Sequence, residues 1–244
     1  MNRTSSASWV KLMAGTAALT LALAACGSGD NNTDSTASDS PSPSESSSAA
    51  ATDTFTNDTC STSQTSADTL RVGGILPLTG NLAFLGPPEV AGVGLAVSDI
   101  NAAGGVAGTK ACLDMQDSGD STDMSVSTNT AGQLVASKSS VVIGAASSSV
   151  SLNVVDTFAQ NKIVEISPAN TAVALSGYSP WYFRTAPPDS VQGAALGTLI
   201  SSDGWQKVGF LVFNDTYGTG LRNSVEKTVK SNGGQCVYGC KGDG

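Results

Sequence analysis

Leu70-Arg71-Val72-Gly73-Gly74-Ile75-Leu76-Pro77-Leu78-Thr79-Gly80 is the stretch whose reading decides the fold. It begins as an apolar run of strand length, turns at Pro77 and Gly80, and leads into a helix opened by Pro87 and Pro88. A buried strand that passes through a small-residue loop into a helix is the edge at which doubly wound α/β sheets hold ligands. The first-turn amides of the helix are unpaired there, and the helix dipole favours negative charge. The same grammar returns at Val141–Ser149 and at Ile163–Thr171. The three loops are expected to converge on one small-molecule site.

Outward from that stretch, strand and helix signals alternate. Val90, Val93, Val97 and Ile100 recur at helical spacing after Pro87, and Gly104-Gly105 stops the helix. A short strand follows at Ala111–Met115, a helix at Met124–Ser137, a third strand at Val141–Ile143, a helix at Val150–Asn161 and a fourth strand at Ile163–Ile166. This alternation predicts an α/β fold, a doubly wound parallel sheet with right-handed crossovers, over residues 69–189. Such crossovers put the strand C-termini on one edge, so Pro77–Gly86, Ser147–Ser149 and Ser167–Thr171 become neighbours. Residues 190–244 read as an incomplete second α/β lobe, with a helix through Ala195–Ile200, a strand at Val208–Phe213 and a helix at Leu221–Lys230.

The loops carry hydroxyls (Thr79, Ser147, Ser148, Ser149, Ser167, Thr171) and no basic residue. Each hydroxyl alone reads as an ordinary helix cap. Together they read as a site that holds a carboxylate by hydrogen bonds and helix-terminal charge without a counter-cation. Composition closes off other chemistry. The chain has no His, which removes Ser-His-Asp triads, Cys-His pairs and His-based zinc sites. Its formal net charge of −8 argues against nucleic-acid binding. No phosphate-loop motif is present, and Gly92-Val93-Gly94 and Gly218-Thr219-Gly220 lack the third glycine of a dinucleotide fingerprint in register. No cofactor and no metal site is expected. Asp114, Asp117, Asp120 and Asp123 form the one dense acid cluster, and they read as a solvated loop and helix start.

The N-terminal part is of a different kind. Arg3 and Lys11 precede an apolar run, Leu12 to Ala25, which ends in Leu23-Ala24-Ala25-Cys26. That run is signal-peptide length and short for a membrane span. Its end resembles the lipobox of bacterial lipoproteins, which implies a signal peptide over 1–25, lipidation at Cys26, and a protein anchored by lipid on the extracytoplasmic face of the cell membrane. Residues 26–68 are rich in Ser, Thr, Asp and Pro and nearly devoid of apolar residues, so they are expected to form a disordered tether. At random-coil dimensions its reach is about 35 Å. Cys60 precedes the first strand and Cys112 lies on the second, so the two are paired as a disulfide joining the tail to the sheet. Cys236 and Cys240 would be about 13 Å apart on one straight strand. A turn at Gly239 could join them, or each has another partner.

PLTGNLAFLG from Pro77, the helix end Ile100-Asn101-Ala102-Ala103-Gly104-Gly105-Val106-Ala107-Gly108, Ser167-Pro168-Ala169-Asn170-Thr171, Tyr182-Phe183-Arg184-Thr185 and Tyr217-Gly218 resemble the branched-chain amino-acid binding proteins. These have the type I periplasmic binding protein fold and serve ABC importers as extracellular receptors. The resemblance runs from about Leu70 to about Gly234. It implies an α-carboxylate and ammonium site at Ser148, Ala169 and Thr171, with Tyr217 closing from the second lobe. Where the family has an aromatic residue in the first loop, this chain has Leu85, beside Phe84. The family continues well beyond Gly244, so the chain reads as truncated within its second lobe and as a weak binder on its own. The implied function is capture of an amino acid or related small carboxylate or amide for uptake, without enzymatic turnover, in partnership with a membrane permease. Two alternatives stand beside it: a ligand-sensing lipoprotein subunit of a signalling receptor, and a carboxylate-dependent hydrolase built on the acid cluster.

Overall fold

β1 (Arg71–Leu76) sits in the middle of a five-stranded parallel sheet with β2 (Cys112–Asp117) on one side and, on the other, β3 (Val141–Gly144), β4 (Val164–Ser167) and β5 (Tyr182–Arg184), giving the order β2-β1-β3-β4-β5. This is a computed structural model that describes residues 58–61 and 68–242. The signal-peptide segment 1–25, Cys26 and nearly all of the 26–68 tether lie outside the described residues.

The sheet is covered on both faces. α1 (Gly86–Ala102) packs Val93 and Val97 against Val72 and Leu113 on one face. On the other, α2 (Met124–Ala136) and α3 (Ser148–Gln160) bury Leu134, Val150, Val154 and Phe158 against Ile75 and Val142. Two glycines in a central strand ordinarily weaken it. Here they make room for neighbours: a Cβ on Gly74 would lie 2.3 Å from the Met115 side chain, and one on Gly73 would lie 2.8 Å from Ser139 Oγ. Pro87 and Pro88 stand in the first turn of α1, where the missing amide hydrogens cost nothing.

After β5 the chain enters the second lobe: α4 (Asp189–Ser202), β6 (Lys207–Gly209), α5 (Thr216–Ser231) and β7 (Gln235–Tyr238), the last two strands flanking α5 and pairing in parallel. α4 and α5 pack closely through Gly193 and Gly197, where a Cβ would lie 2.3 Å from Ser224 and 2.6 Å from Thr228. The strand expected over Val208–Phe213 ends at Gly209. β7 is its one partner among the described residues, and beyond the Phe210 amide bond to Tyr238 nothing orders residues 211–213 as strand. Leu211 is 95% exposed.

Two further differences concern the site. The helix expected to begin at Val150 begins at Ser148, and that expected from Leu221 begins at Thr216, so Ser148 and Tyr217 belong to helix first turns rather than loops. Tyr182–Arg184, noted in the sequence only as a motif, is the fifth strand.

Asp58–Ser61, assigned from composition to the tether, lie against β2. Thr59 bridges Leu113, the Cys60 amide donates to the Leu113 carbonyl at 2.7 Å, and Asp58 accepts from Asn101 Nδ2 at 3.0 Å. Cys60 and Cys112 are disulfide-bonded there, with Cα atoms 4.8 Å apart. Cys236 and Cys240 are bonded to each other across a turn in which Gly239 takes a φ of 62°. No helix among the described residues is long and apolar enough to cross a membrane.

Candidate functional site

In the order 2-1-3-4-5, chain connections reverse direction between β1 and β3, and the loops leaving those strands part to open a crevice. A cleft of about 630 Å³ occupies that position. The first loop supplies Asn81, Leu82, Phe84 and Leu85; the turn after β3 supplies Ala146, Ser147 and Ser148; the loop after β4 supplies Ala169, Asn170 and Thr171. From the second lobe come Gln192 and the segment Phe213–Asp215 with Tyr217. Ser148, Ala169, Thr171, Leu85 and Tyr217 therefore all face one space.

The cleft is built from the strand ends upward. Ser148 is 1% exposed, and its Oγ accepts the amides of Thr171 and Ala172, each at 3.2 Å. Both acceptor positions of the hydroxyl are occupied, so it has its one proton left to donate. Ser167 Oγ donates to the Ala145 carbonyl at 2.5 Å and accepts the Asn170 amide at 3.1 Å, which turns the chain sharply after β4. Arg184 holds the far side of that loop through the Ala172 carbonyl at 2.8 Å. No side chain caps α3 at Ser147, whereas Asp123 and Asp215 cap α2 and α5. The uncapped amides of α3 begin at the cleft, beside Ser148 and a buried Thr171 hydroxyl that neighbours the Asp189 carboxyl.

Asp123 caps α2 from an exposed position, as the helix-start reading expects, whereas Asp120 and Asp117 depart from the solvated-loop expectation. Asp120 is buried and accepts from the Asn81 amide at 2.5 Å, the Thr122 amide at 2.8 Å and the Thr122 hydroxyl at 2.5 Å. The Thr122 bonds, with the Asn81 amide, hold its pKa below the ordinary value. Asp117 accepts from the Leu78, Thr79 and Gly119 amides and from the Thr79 hydroxyl. Burial works against its ionised form, but those donors outweigh it and the pKa is lowered. The carboxylates thus shape the first loop. Gly80 turns there with φ 84°, and a Cβ on it would meet Asp120 at 2.4 Å. Each is held ionised, with its oxygens taken up by these donors.

Sequence reasoning missed several groups. Asp120 was noted only as part of the acid cluster, and Ser121, Thr122, Gln192 and Phe213–Asp215 carry no local motif; all reach the cleft only through the tertiary fold. Asp189, the first residue of α4, is fully buried, and its amide donates to the Thr171 carbonyl at 2.8 Å. Burial pushes its pKa up against the pull of the Thr171 hydroxyl and Arg184, and neither carboxyl oxygen has a hydrogen bond of full geometry. The lobes also touch directly: the Thr216 amide donates to Ser149 Oγ at 3.2 Å.

A five-stranded parallel sheet of this order, a second α/β lobe and a cleft between them lined by hydroxyls and amides define an α/β fold of two lobes. The family model described as periplasmic binding protein matches residues 69–240, and the chain belongs to that family. Its relatives include the Leu/Ile/Val-binding protein homolog 2 of Brucella abortus (strain 2308), 32% identical over 173 residues, which are 69% of this chain and 46% of the relative. Among solved structures, a branched-chain amino acid transporter substrate binding protein, LivJ of Streptococcus pneumoniae, in complex with isoleucine, matches with a TM-score of 0.61 and 28% identity, covering 70% of this chain and 48% of the other. The solute binding protein of an ABC transporter from Rhodopseudomonas palustris BisB5, in complex with 3,4-dihydroxybenzoic acid, shares the fold with a TM-score of 0.62 at 23% identity, covering 70% of this chain and 46% of the other. The chain spans about half the length of the relatives it matches.

Proposed function

We propose that this chain is the solute-capturing component of an ABC importer, and that its ligand is an amino acid with an apolar side chain. The observation that carries the reading is the uncapped start of α3 at the cleft, with the Ser148 hydroxyl beside it. That arrangement suits a carboxylate. Among the described residues the cleft is lined by Asp120 and Asp215 and by no lysine or arginine, which favours a ligand bringing its own ammonium. Phe84, Leu85, Leu82 and Tyr217 supply an apolar wall for the side chain. The names of the Brucella and Streptococcus relatives support the same ligand class. Lipidation at Cys26, delivery to a membrane permease and an extracytoplasmic location complete the proposal. Hinge movement between the lobes would close the site.

Titration of the 15N-labelled chain with L-leucine, followed by NMR, tests the ligand and detects weak binding. Leucine is expected to shift the amides of Ala146–Ser148 and Ala169–Thr171. 4-Methylpentanoate, which lacks the ammonium, is expected to shift them much less. Equal responses to the two compounds, or none to leucine, would refute the assignment. Recovery of Cys26→Ser in the aqueous phase on detergent partition, with the wild type in the detergent phase, tests the anchor.

A further inference from the structure

One buried acid stands behind the cleft with no part in binding. Glu165, on β4, is 0% exposed. Its register partners are Val142 on β3 and Tyr182 on β5. Oε1 accepts the Ala145 amide at 3.3 Å, and Oε2 is buried without a partner. Among the described residues, no element packed on it brings a free cation. α3 offers the uncharged Ser151, and β3 offers only apolar residues and glycine. β5 offers Tyr182, pushed up to about 12 by burial, with its hydroxyl on Asn170 Oδ1. Arg184, two residues further on, commits its guanidinium to the Ala172 carbonyl and the Ser176 hydroxyl. Asp189 is a further acid near Arg184 and adds no compensation. An isolated carboxylate in such a place neutralises rather than stays charged. Burial pushes Glu165 up to about 8, against smaller opposing effects from the Ala145 amide and Ser151.

The peptide that Glu165 holds is the one that aims the cleft. The Ala145 carbonyl receives Ser151 Oγ at 3.1 Å, Ser167 Oγ at 2.5 Å and Asn170 Nδ2 at 3.4 Å. Asn170 also donates to Ser151 Oγ at 2.6 Å. Ala145 is therefore clamped on both sides, and Ala146, Ser147 and Ser148 follow it directly along one wall of the site.

We propose that Glu165 is a positioning residue for the cleft, held as the neutral acid, which fixes the Ala145 peptide and through it the Ala146–Ser148 turn against the Asn170 loop. Ionisation leaves an uncompensated charge between α3 and β4 that only water can relieve. Water enters by parting Ser151 and Asn170 from Ala145, so the turn loosens as pH rises past the ionisation of Glu165. The inference depends on the cleft's construction and not on what fills it.

Amide hydrogen exchange of the ligand-free chain, followed by NMR between pH 6 and 9.5 and corrected for intrinsic exchange, is the test. In the wild type, protection of Ala145 to Ser148 is expected to hold to about pH 8 and then fall about tenfold per pH unit, following the neutral fraction. Glu165→Gln, a neutral isostere that can accept from Ala145 and donate to its neighbours, is expected to keep protection flat across the range. Glu165→Ala is expected to lose it at every pH. A protonated-carboxyl stretch in the infrared spectrum at pH 7, absent from Glu165→Gln, is the matching spectroscopic signature. Equal protection of wild type and Glu165→Gln at pH 9, absence of that stretch, or parallel loss of protection at Val97 on the remote α1 would each overturn the proposal.

Discussion

Replacing Ser148 with Ala removes one oxygen and disturbs two backbone donors. Ser148 Oγ accepts the Thr171 and Ala172 amides at 3.2 Å each, and the residue is 1% exposed, so both N–H groups lose their acceptor in a buried place. An orphaned buried donor costs about 1–3 kcal/mol, and water from the adjacent cleft relieves part of that. The sum expected is a loss of about 2–4 kcal/mol of folding stability, read as a lowered urea midpoint with an unchanged slope. The same substitution removes the hydroxyl proton available to a ligand carboxylate, so leucine should also fail to shift Ala169–Thr171. A helix cap with no further duty predicts a different result. α3 begins after Ser147, and loss of a cap would fray the first turn of α3 without touching the β4 loop. If Ser148→Ala costs under about 0.5 kcal/mol, or if amide protection falls in α3 while Thr171 and Ala172 are unchanged, the reasoning from the two shared amides is wrong.

Three other perturbations test the same structure. The folded pKa of Glu165, about 8, lies above its ordinary 4.5, so the native state keeps a proton that the unfolded chain loses; its contribution is full below 4.5 and declines by about 1.4 kcal/mol per pH unit up to about 8. Glu165→Gln should flatten that decline relative to wild type in urea titrations at pH 5 to 8, while Glu89, pushed up to about 7 by burial, contributes equally to both proteins; parallel curves would contradict it. Replacing Cys60 and Cys112 together with Ser opens a closure of 52 residues and should cost about 4 kcal/mol on chain-entropy grounds, with loss of the Cys60–Leu113 pairing by hydrogen exchange; a loss below about 1 kcal/mol would show that the docked tail holds without the bond. Ser149→Ala removes the acceptor of the Thr216 amide between the lobes and should increase the radius of gyration in solution scattering, and an unchanged radius would mean that the lobes are held by other contacts.

The fold was legible where a local pattern carries it. Pro77 and Gly80, the helical spacing of Val90, Val93, Val97 and Ile100, and the Gly104-Gly105 stop report their structure within a few residues of themselves. That the Ser147–Ser149 and Ser167–Thr171 loops meet was legible for a topological reason: right-handed crossovers bring strand C-termini to one edge whatever the side chains, whereas the choice of Ser148, Ala169 and Thr171 within them came from the family resemblance. What stayed hidden depends on distant partners. Asp120 is a solvated loop acid by composition. It becomes a buried acceptor because Asn81, far away in the chain, presents its amide to it. The strand at Val208 stops early because ladder bonds need a partner, and among the described residues β7 pairs only along Lys207–Gly209. Glu165 sits in an apolar strand, where alternation gives no sign of whether its carboxyl will find a cation.

The charges around the cleft separate two kinds of ligand that the fold alone admits. A helix N-terminus offers roughly half an elementary positive charge, and hydroxyl donors add dipoles but no net charge. That suffices for a carboxylate only if nothing nearby opposes it. Asp120 does oppose it: the Thr122 and Asn81 donors hold it ionised, so its negative charge is fixed at neutral pH, and Asp215 faces the same space from the second lobe. A simple aromatic or aliphatic acid brings one more negative charge into a site without a lysine or arginine. A zwitterion would bring the missing cation with it, into a field set by Asp120 and Asp215. On this account, neutralising Asp120 by Asn should narrow the difference between leucine and 4-methylpentanoate by improving the response to the acid. Unchanged discrimination in Asp120→Asn would mean that the ammonium is recognised elsewhere, with the buried Asp189 beneath Thr171 the next group to test.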